Sequence, residues 1–210
     1  MGENFKQQFS QTSLIGIFRG IKPDEVEEII AASIQAGLQI VEIPLNSPQP
    51  LVSIEKLAKR FGQETIVGAG TVTSVQEVQQ VADAGGRLIV TPYARLDVVE
   101  KAKSLGLVSV PGALTPTEIA AMHDCGADAV KIFPADMLAP ATLKGLRAVL
   151  PQALTLIPVG GIDLDSMKDY ISAGASGFGL GSALYRAGDR PDDVFTKTRA
   201  FVARIHELKQ

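Results

Sequence analysis

Leu107-Val108-Ser109-Val110-Pro111-Gly112, the segment Pro116 to Cys125, and Asp128-Ala129-Val130-Lys131-Ile132-Phe133-Pro134 make up one unit of this chain. The outer runs are short, rich in β-branched residues and closed by Pro or Gly, which predicts strands. The middle segment is amphipathic, opens on Pro116 and stops at Gly126, as helices that start on proline and end on glycine do. Strand, helix, strand in that order builds a parallel sheet.

The unit recurs along the whole chain. Strands are predicted at 14–20, 39–45, 65–72, 87–92, 107–112, 128–134, 155–161 and 177–182. Their starts lie about 20 to 26 residues apart, the length of one strand, loop and helix. Helices are predicted at Pro23 to Gln35, Pro50 to Phe61, Ser74 to Ala84, Leu96 to Leu105, Pro116 to Cys125, Ala141 to Leu150, Leu164 to Ala173 and Pro191 to Leu208. Eight βα units without a composition break predict one domain over residues 1–210, an α/β (β/α)8 TIM barrel. An open doubly wound sheet competes, but it carries a Gly-rich first turn, and Arg19-Gly20-Ile21-Lys22-Pro23 is not one.

With 210 residues and 46% hydrophobic content the chain can bury a full core. A formal charge of -3 and a pI near 5.4 give no basic surplus for nucleic acid, while a small anionic metabolite stays possible. Cys125 is the single cysteine, so neither an internal disulfide nor a cysteine zinc cluster can form, which fits a reducing cytoplasm. Residues Met1 to Gln8 lack the basic-then-apolar order of a signal peptide, and no run of about 18 apolar residues predicts a membrane span.

Lys131 stands alone as a cation within an apolar strand. Burying an unpaired ammonium costs several kcal/mol and depresses its pKa. A lysine neutral near pH 7 is a nucleophile toward carbonyls, which gives such a placement a chemical reason. The competing reading is a strand-end lysine whose stem lies on apolar surface while its amine reaches water.

Side chains alternate across a strand, so parity separates the two faces. Lys131 shares a face with Ala129 and Phe133; Glu42 shares one with Ile40 and Pro44, leaving Val41, Ile43 and Leu45 for the helices. The first strand presents Ile15, Ile17 and Arg19, the third Val67, Ala69 and Thr71, while Thr91 and Ser109 add hydroxyls on the fourth and fifth. The polar members fall toward the C-terminal strand ends, where catalytic groups of such barrels sit. Singly, each has a bland account: Arg19 could pair with a surface carboxylate, Glu42 could be a structural partner of Lys131, and Thr71 could cap the helix near Ser74. Jointly, an acid, an amine and a guanidinium at one mouth favour a functional reading. Val159-Gly160-Gly161-Ile162 and Gly177-Phe178-Gly179-Leu180-Gly181-Ser182 then place glycine turns after strands seven and eight, the recurrent phosphate position of the fold.

An amine, a carboxyl and a phosphate cradle suit aldol cleavage: the amine condenses with a ketone, the protonated imine withdraws electrons from the neighbouring bond, and Glu42 moves the protons. Neither a metal nor another cofactor is needed, and His123 and His206 lie on separate predicted helices. Two rivals remain, a phosphosugar isomerase or epimerase and a sugar-phosphate-binding barrel without catalysis.

The motifs Gly16-Ile17-Phe18-Arg19-Gly20, Val41-Glu42-Ile43-Pro44-Leu45-Asn46-Ser47-Pro48, Gly68-Ala69-Gly70-Thr71-Val72, Val90-Thr91-Pro92, Pro111-Gly112, Lys131-Ile132-Phe133-Pro134 and Val159-Gly160-Gly161-Ile162 occur in that order. Together they resemble the class I 2-keto-3-deoxy-6-phosphogluconate and 6-phosphogalactonate aldolases across essentially the whole chain. The resemblance implies that Lys131 is the Schiff-base lysine and Glu42 the general acid/base. It puts Arg19 and Thr71 at the pyruvate end and Gly160, Gly161, Gly181 and Ser182 at the phosphate end, with Thr91 and Phe133 completing the substrate-binding set. It also implies a homotrimer and, as ligands, pyruvate and a phosphorylated 2-keto-3-deoxy sugar acid. Phosphogluconate aldolases usually carry Leu-Arg-Thr where this chain has Leu45-Asn46-Ser47. The lost arginine favours the 6-phosphogalactonate branch, with the 6-phosphogluconate or 4-hydroxy-2-oxoglutarate enzymes as the alternative.

Overall fold

The computed structural model describes residues 2–209. It is an α/β fold built on a curled parallel sheet. The chain runs α1 (Gly2–Thr12), β1 (Leu14–Ile17), α2 (Val26–Gln35), β2 (Ile40–Pro44), α3 (Pro50–Phe61), β3 (Ile66–Gly70), α4 (Val75–Asp83), β4 (Leu88–Val90) and α5 (Leu96–Ser104). It continues with β5 (Val108–Val110), β6 (Gly112–Ala113), α6 (Pro116–Asp124), β7 (Val130–Ile132), α7 (Pro140–Arg147), β8 (Leu156–Pro158), α8 (Met167–Ser172), β9 (Phe178–Leu180) and α9 (Pro191–Leu208). A short 3-10 turn, Ala135–Met137, follows β7.

Every predicted strand run contains a strand, but the ladders divide in two. Six strands pair in the order β5-β4-β3-β2-β1-β9 and three in the order β6-β7-β8. The division falls at Pro111, inside the run predicted as one strand. Proline has no N–H to donate, so β5 pairs with β4 while β6 pairs with β7. The Thr91 hydroxyl bridges the gap by accepting from the Gly112 N–H at 3.0 Å. At the other margin a lone parallel bridge links Val159 to Gly179, and Ser176 N–H donates to Leu156 O at 2.9 Å.

Parity holds on most strands. Ile15, Ile17, Ile40, Ala129 and Ile157 gather on the concave face, whereas Val41, Ile43, Val130 and Ile132 pack toward the helices. Strand β3 is out of phase with the expectation: Ile66 faces inward, and Val67 and Ala69 belong to the helix side. The cause is steric, because the inward positions are glycines. A Cβ on Gly68 would lie 2.1 Å from Leu88 O, and one on Gly70 would lie within the Glu42 carboxylate. Thr71 sits beyond β3 with φ +59, so strand alternation does not reach it, and the helix cap is Ser74, whose hydroxyl accepts from Glu77 N–H.

Helix α1 has no counterpart among the predicted helices. Its Phe5 and Phe9, one turn apart, stack at 5.5 Å between centroids and join the concave cluster of Ile15, Ile40, Ile66 and Val108. Two aromatic rings therefore help fill the concave core. Helices α4 and α6 start from reciprocal capping boxes, Ser74 with Glu77 and Thr115 with Glu118. Among the described residues no helix is long and apolar enough to cross a membrane.

Phe9 is 6% exposed, and its replacement by alanine leaves a cavity in this cluster. Phe9→Ala should lower stability by about 3 kcal/mol, seen as an earlier urea midpoint; an unchanged midpoint would contradict the role given to α1.

Candidate active site

Lys131 lies in the middle of β7, where its backbone is fixed on both sides: opposite Gly112 of β6 and opposite Ile157 of β8. Its N–H donates to Pro111 O at 2.9 Å. The side chain enters the concave face and is 6% exposed, which sets aside a snorkelling lysine with its amine in water. Nζ stands 4.3 Å from the centroid of the Phe133 ring, two residues along the same face. Burial lowers the amine's pKa; Arg19 lowers it further, and attraction to Glu42 opposes both.

Glu42 occupies the corresponding place on β2, opposite Ile17 of β1 and Gly68 of β3, and is 2% exposed. Burial raises its pKa to about 7, against the pull of Lys131 and Arg19. Its Oε2 has no hydrogen-bond partner among the described residues. Gly70 makes the space this carboxyl fills, since a Cβ there would lie 1.8 Å from Oε2. No described salt bridge joins Glu42 to Lys131. The amine is thus less basic than usual and the carboxyl less acidic, and each influences the other through space.

Arg19 follows β1 and is held from the next strand. Its Nη1 donates to Asn46 Oδ1 at 2.5 Å, and the neighbouring Gly20 N–H donates to the buried Ser47 hydroxyl at 3.0 Å. Asn46 and Ser47, singled out above for what they replace, therefore brace the arginine loop.

A cavity of about 350 Å³ opens over Lys131 and Arg19, and Glu42 is not among the residues that line it. Arg19, Lys131, Phe133, Gly160, Gly161, Gly181 and Ser182 all line it. Gly160 and Gly161 have φ of +105 and +67, and a Cβ on Gly161 would meet that of Asp136 at 2.8 Å, so this turn requires glycine. Thr71 and Thr91 are not among the lining residues. The fully buried Thr91 hydroxyl donates to Tyr93 O at 2.6 Å besides accepting from Gly112, which makes it a tie between strands. Thr71, a β-branched residue at positive φ, is a backbone outlier of the kind that collects near functional sites.

Several lining residues escaped the sequence reading. Ile17 carried a signal in its inward parity and Val159 opened a quoted motif, but Tyr185 and Arg186 follow the second glycine turn with no motif to mark them. Gly70 lay within a quoted motif, yet its role depends on a contact with another strand. Among the described residues no group of three His, Cys, Asp or Glu side chains could hold a metal ion.

Comparison with known proteins identifies the family. The family model described as KDPG and KHG aldolase matches residues 6–196. A probable 2-dehydro-3-deoxy-6-phosphogalactonate aldolase of Rhizobium meliloti (strain 1021) is 43% identical over 190 residues, covering 90% of each chain. The 2-dehydro-3-deoxy-6-phosphogalactonate aldolase of Escherichia coli (strain K12) is 41% identical over 197 residues, covering 94% of this chain and 96% of its own. A solved structure described as native KDPGal superposes with a TM-score of 0.92 at 41% identity, over 94% of this chain and 96% of the other. Because the family match extends from α1 into α9 and takes in Glu42, Lys131 and both glycine turns, the chain belongs to the KDPG and KHG aldolases.

Proposed function

We propose that this aldolase reversibly cleaves 2-dehydro-3-deoxy-6-phosphogalactonate to pyruvate and D-glyceraldehyde 3-phosphate through an imine on Lys131. The observation that carries the reading is a buried amine of lowered pKa on the cavity wall, coupled through space to a buried carboxyl poised near neutrality. The neutral amine attacks the C2 ketone, the protonated Glu42 carboxyl gives its proton to the departing hydroxyl, and loss of water leaves a protonated imine beside a carboxylate. Glu42 takes the C4 hydroxyl proton, the C3–C4 bond breaks into the imine, and the aldehyde leaves. The resulting enamine takes that proton from Glu42 at C3, and water then hydrolyses the pyruvyl imine, regenerating the neutral Lys131 amine and returning the released proton to Glu42. Each proton taken is returned, so one group near pKa 7 serves both half-steps.

Arg19, steadied by Asn46, binds the substrate carboxylate, with Thr71 at the same end and the Phe133 ring against the reacting amine. Gly160, Gly161, Gly181 and Ser182 take the phosphate, and Thr91 acts from the wall through Gly112. The galactonate epimer is favoured by Asn46-Ser47 and by the names of the relatives at 41% and 43% identity. The fold is taken as one complete (β/α)8 domain, supported by the bridge between Val159 and Gly179 and by β5 running on into β6. A homotrimer in the cytoplasm is the assembly and setting taken over from the resemblance and the cysteine usage, with exposed Val52, Tyr93 and Leu96 available for contact.

Pyruvate release from the two epimers decides the substrate. The galactonate form should give the higher kcat/KM; a clear preference for the gluconate form would reassign the enzyme, and no pyruvate from either would favour an isomerase.

Glu42→Gln should slow cleavage by about 100- to 10,000-fold. It also has a stability signature. The carboxyl is protonated in both states below pH 4.5; between 4.5 and about 7 only the unfolded chain gives up the proton, so wild-type stability falls as pH rises through that window. Urea unfolding should therefore show the variant gaining on wild type from pH 4.5 to 7, and a constant difference would contradict the raised pKa.

A further inference from the structure

Arg186 lines the same cavity as Arg19 and Lys131, together with Gly160, Gly161 and Ser182, and takes no part in the chemistry proposed for those two. A tight turn after β9 places it there: Leu184 and Tyr185 N–H both donate to Gly181 O, at 2.8 and 3.0 Å. The side chain folds back over the turn, with Nε donating to Ser182 O at 3.2 Å. The Arg186 N–H is held by Asp189 Oδ2 at 2.9 Å, but that carboxylate forms its ion pair with Lys197, at 2.6 Å. Among the described residues the Arg186 guanidinium has no ion-pair partner, and its two Nη groups meet no acceptor.

The surroundings favour a phosphate monoester. The N–H groups of Gly161, Ser182 and Ala183 donate to no acceptor among the described residues, and these residues line the same mouth. Asp136, which borders Gly160 and Gly161, is the nearby carboxylate, and it makes no described contact with Arg186. A planar guanidinium anchored through Nε keeps a fork of donors in place, a geometry that matches phosphate oxygens better than a point charge does.

We propose that Arg186 is a substrate-binding residue that clamps the terminal phosphate against the glycine turns. The assignment rests on the reading of those turns as the phosphate site. Its test compares kcat/KM for adding pyruvate to D-glyceraldehyde 3-phosphate and to unphosphorylated D-glyceraldehyde, in wild type, Arg186→Ala and Arg186→Lys. Arg186→Ala should lose roughly 10- to 100-fold on the phosphorylated aldehyde, mainly through KM, as for a lost charge-assisted hydrogen bond. The preference for the phosphorylated aldehyde should shrink accordingly, and Arg186→Lys should recover part of it. Equal losses on both aldehydes, or an unchanged preference, would overturn the assignment while leaving the phosphate site standing. A wild-type enzyme that treats the two aldehydes alike would overturn the phosphate reading itself, and this assignment with it.

Discussion

An amine and a carboxyl buried in the same concave core, without a described salt bridge between them, set the terms for the rest of this structure. A direct ion pair would hold the lysine protonated and the glutamate ionised, and neither could then act on a carbonyl or return a proton. Separation lets burial dominate both groups, so the amine loses basicity and the carboxyl titrates near 7. The surrounding sequence maintains that balance. Gly70 leaves room for the carboxyl, Phe133 flanks the amine, and ladder pairing on both sides of β7 fixes where Lys131 projects.

Charge around the cavity follows the same logic. The chain as a whole is acidic, at -3, yet the lining carries Arg19, Lys131 and Arg186. Local cationic character of this kind suits a substrate with a carboxylate at one end and a phosphate at the other, while the glycine turns add backbone donors without adding charge. Asn46 and Ser47 enter the account indirectly. They brace Arg19 and Gly20 from the loop after β2, so the dipeptide on which the sequence-based choice of branch rests positions a neighbouring strand end.

Local periodicity made much of this legible. Lys131 and Glu42 could be assigned to the inward face because alternating apolar residues on β7 and β2 set the phase unambiguously. On β3 the same rule failed, since Gly68 and Gly70 face inward for reasons of close approach and leave no apolar signal there. The split at Pro111 was likewise hidden: a proline closing a strand and one that divides two ladders look alike in sequence. Helix α1 offered a readable clue in Phe5 and Phe9, one turn apart, but its burial depends on a core assembled by strands far along the chain. Thr91 was recognised as a polar residue at a strand end, whereas its engagement with Gly112 arises only once two ladders meet.

Borohydride reduction of the enzyme in the presence of pyruvate, followed by peptide mass analysis, tests the central claim most directly, because reduction fixes an imine as a stable secondary amine. The account predicts a pyruvyl-derived mass on the peptide that contains Lys131, and none in Lys131→Arg protein, whose guanidinium cannot form the imine. A folded, pyruvate-bound enzyme that yields no adduct, or one whose adduct maps to another lysine, would contradict it.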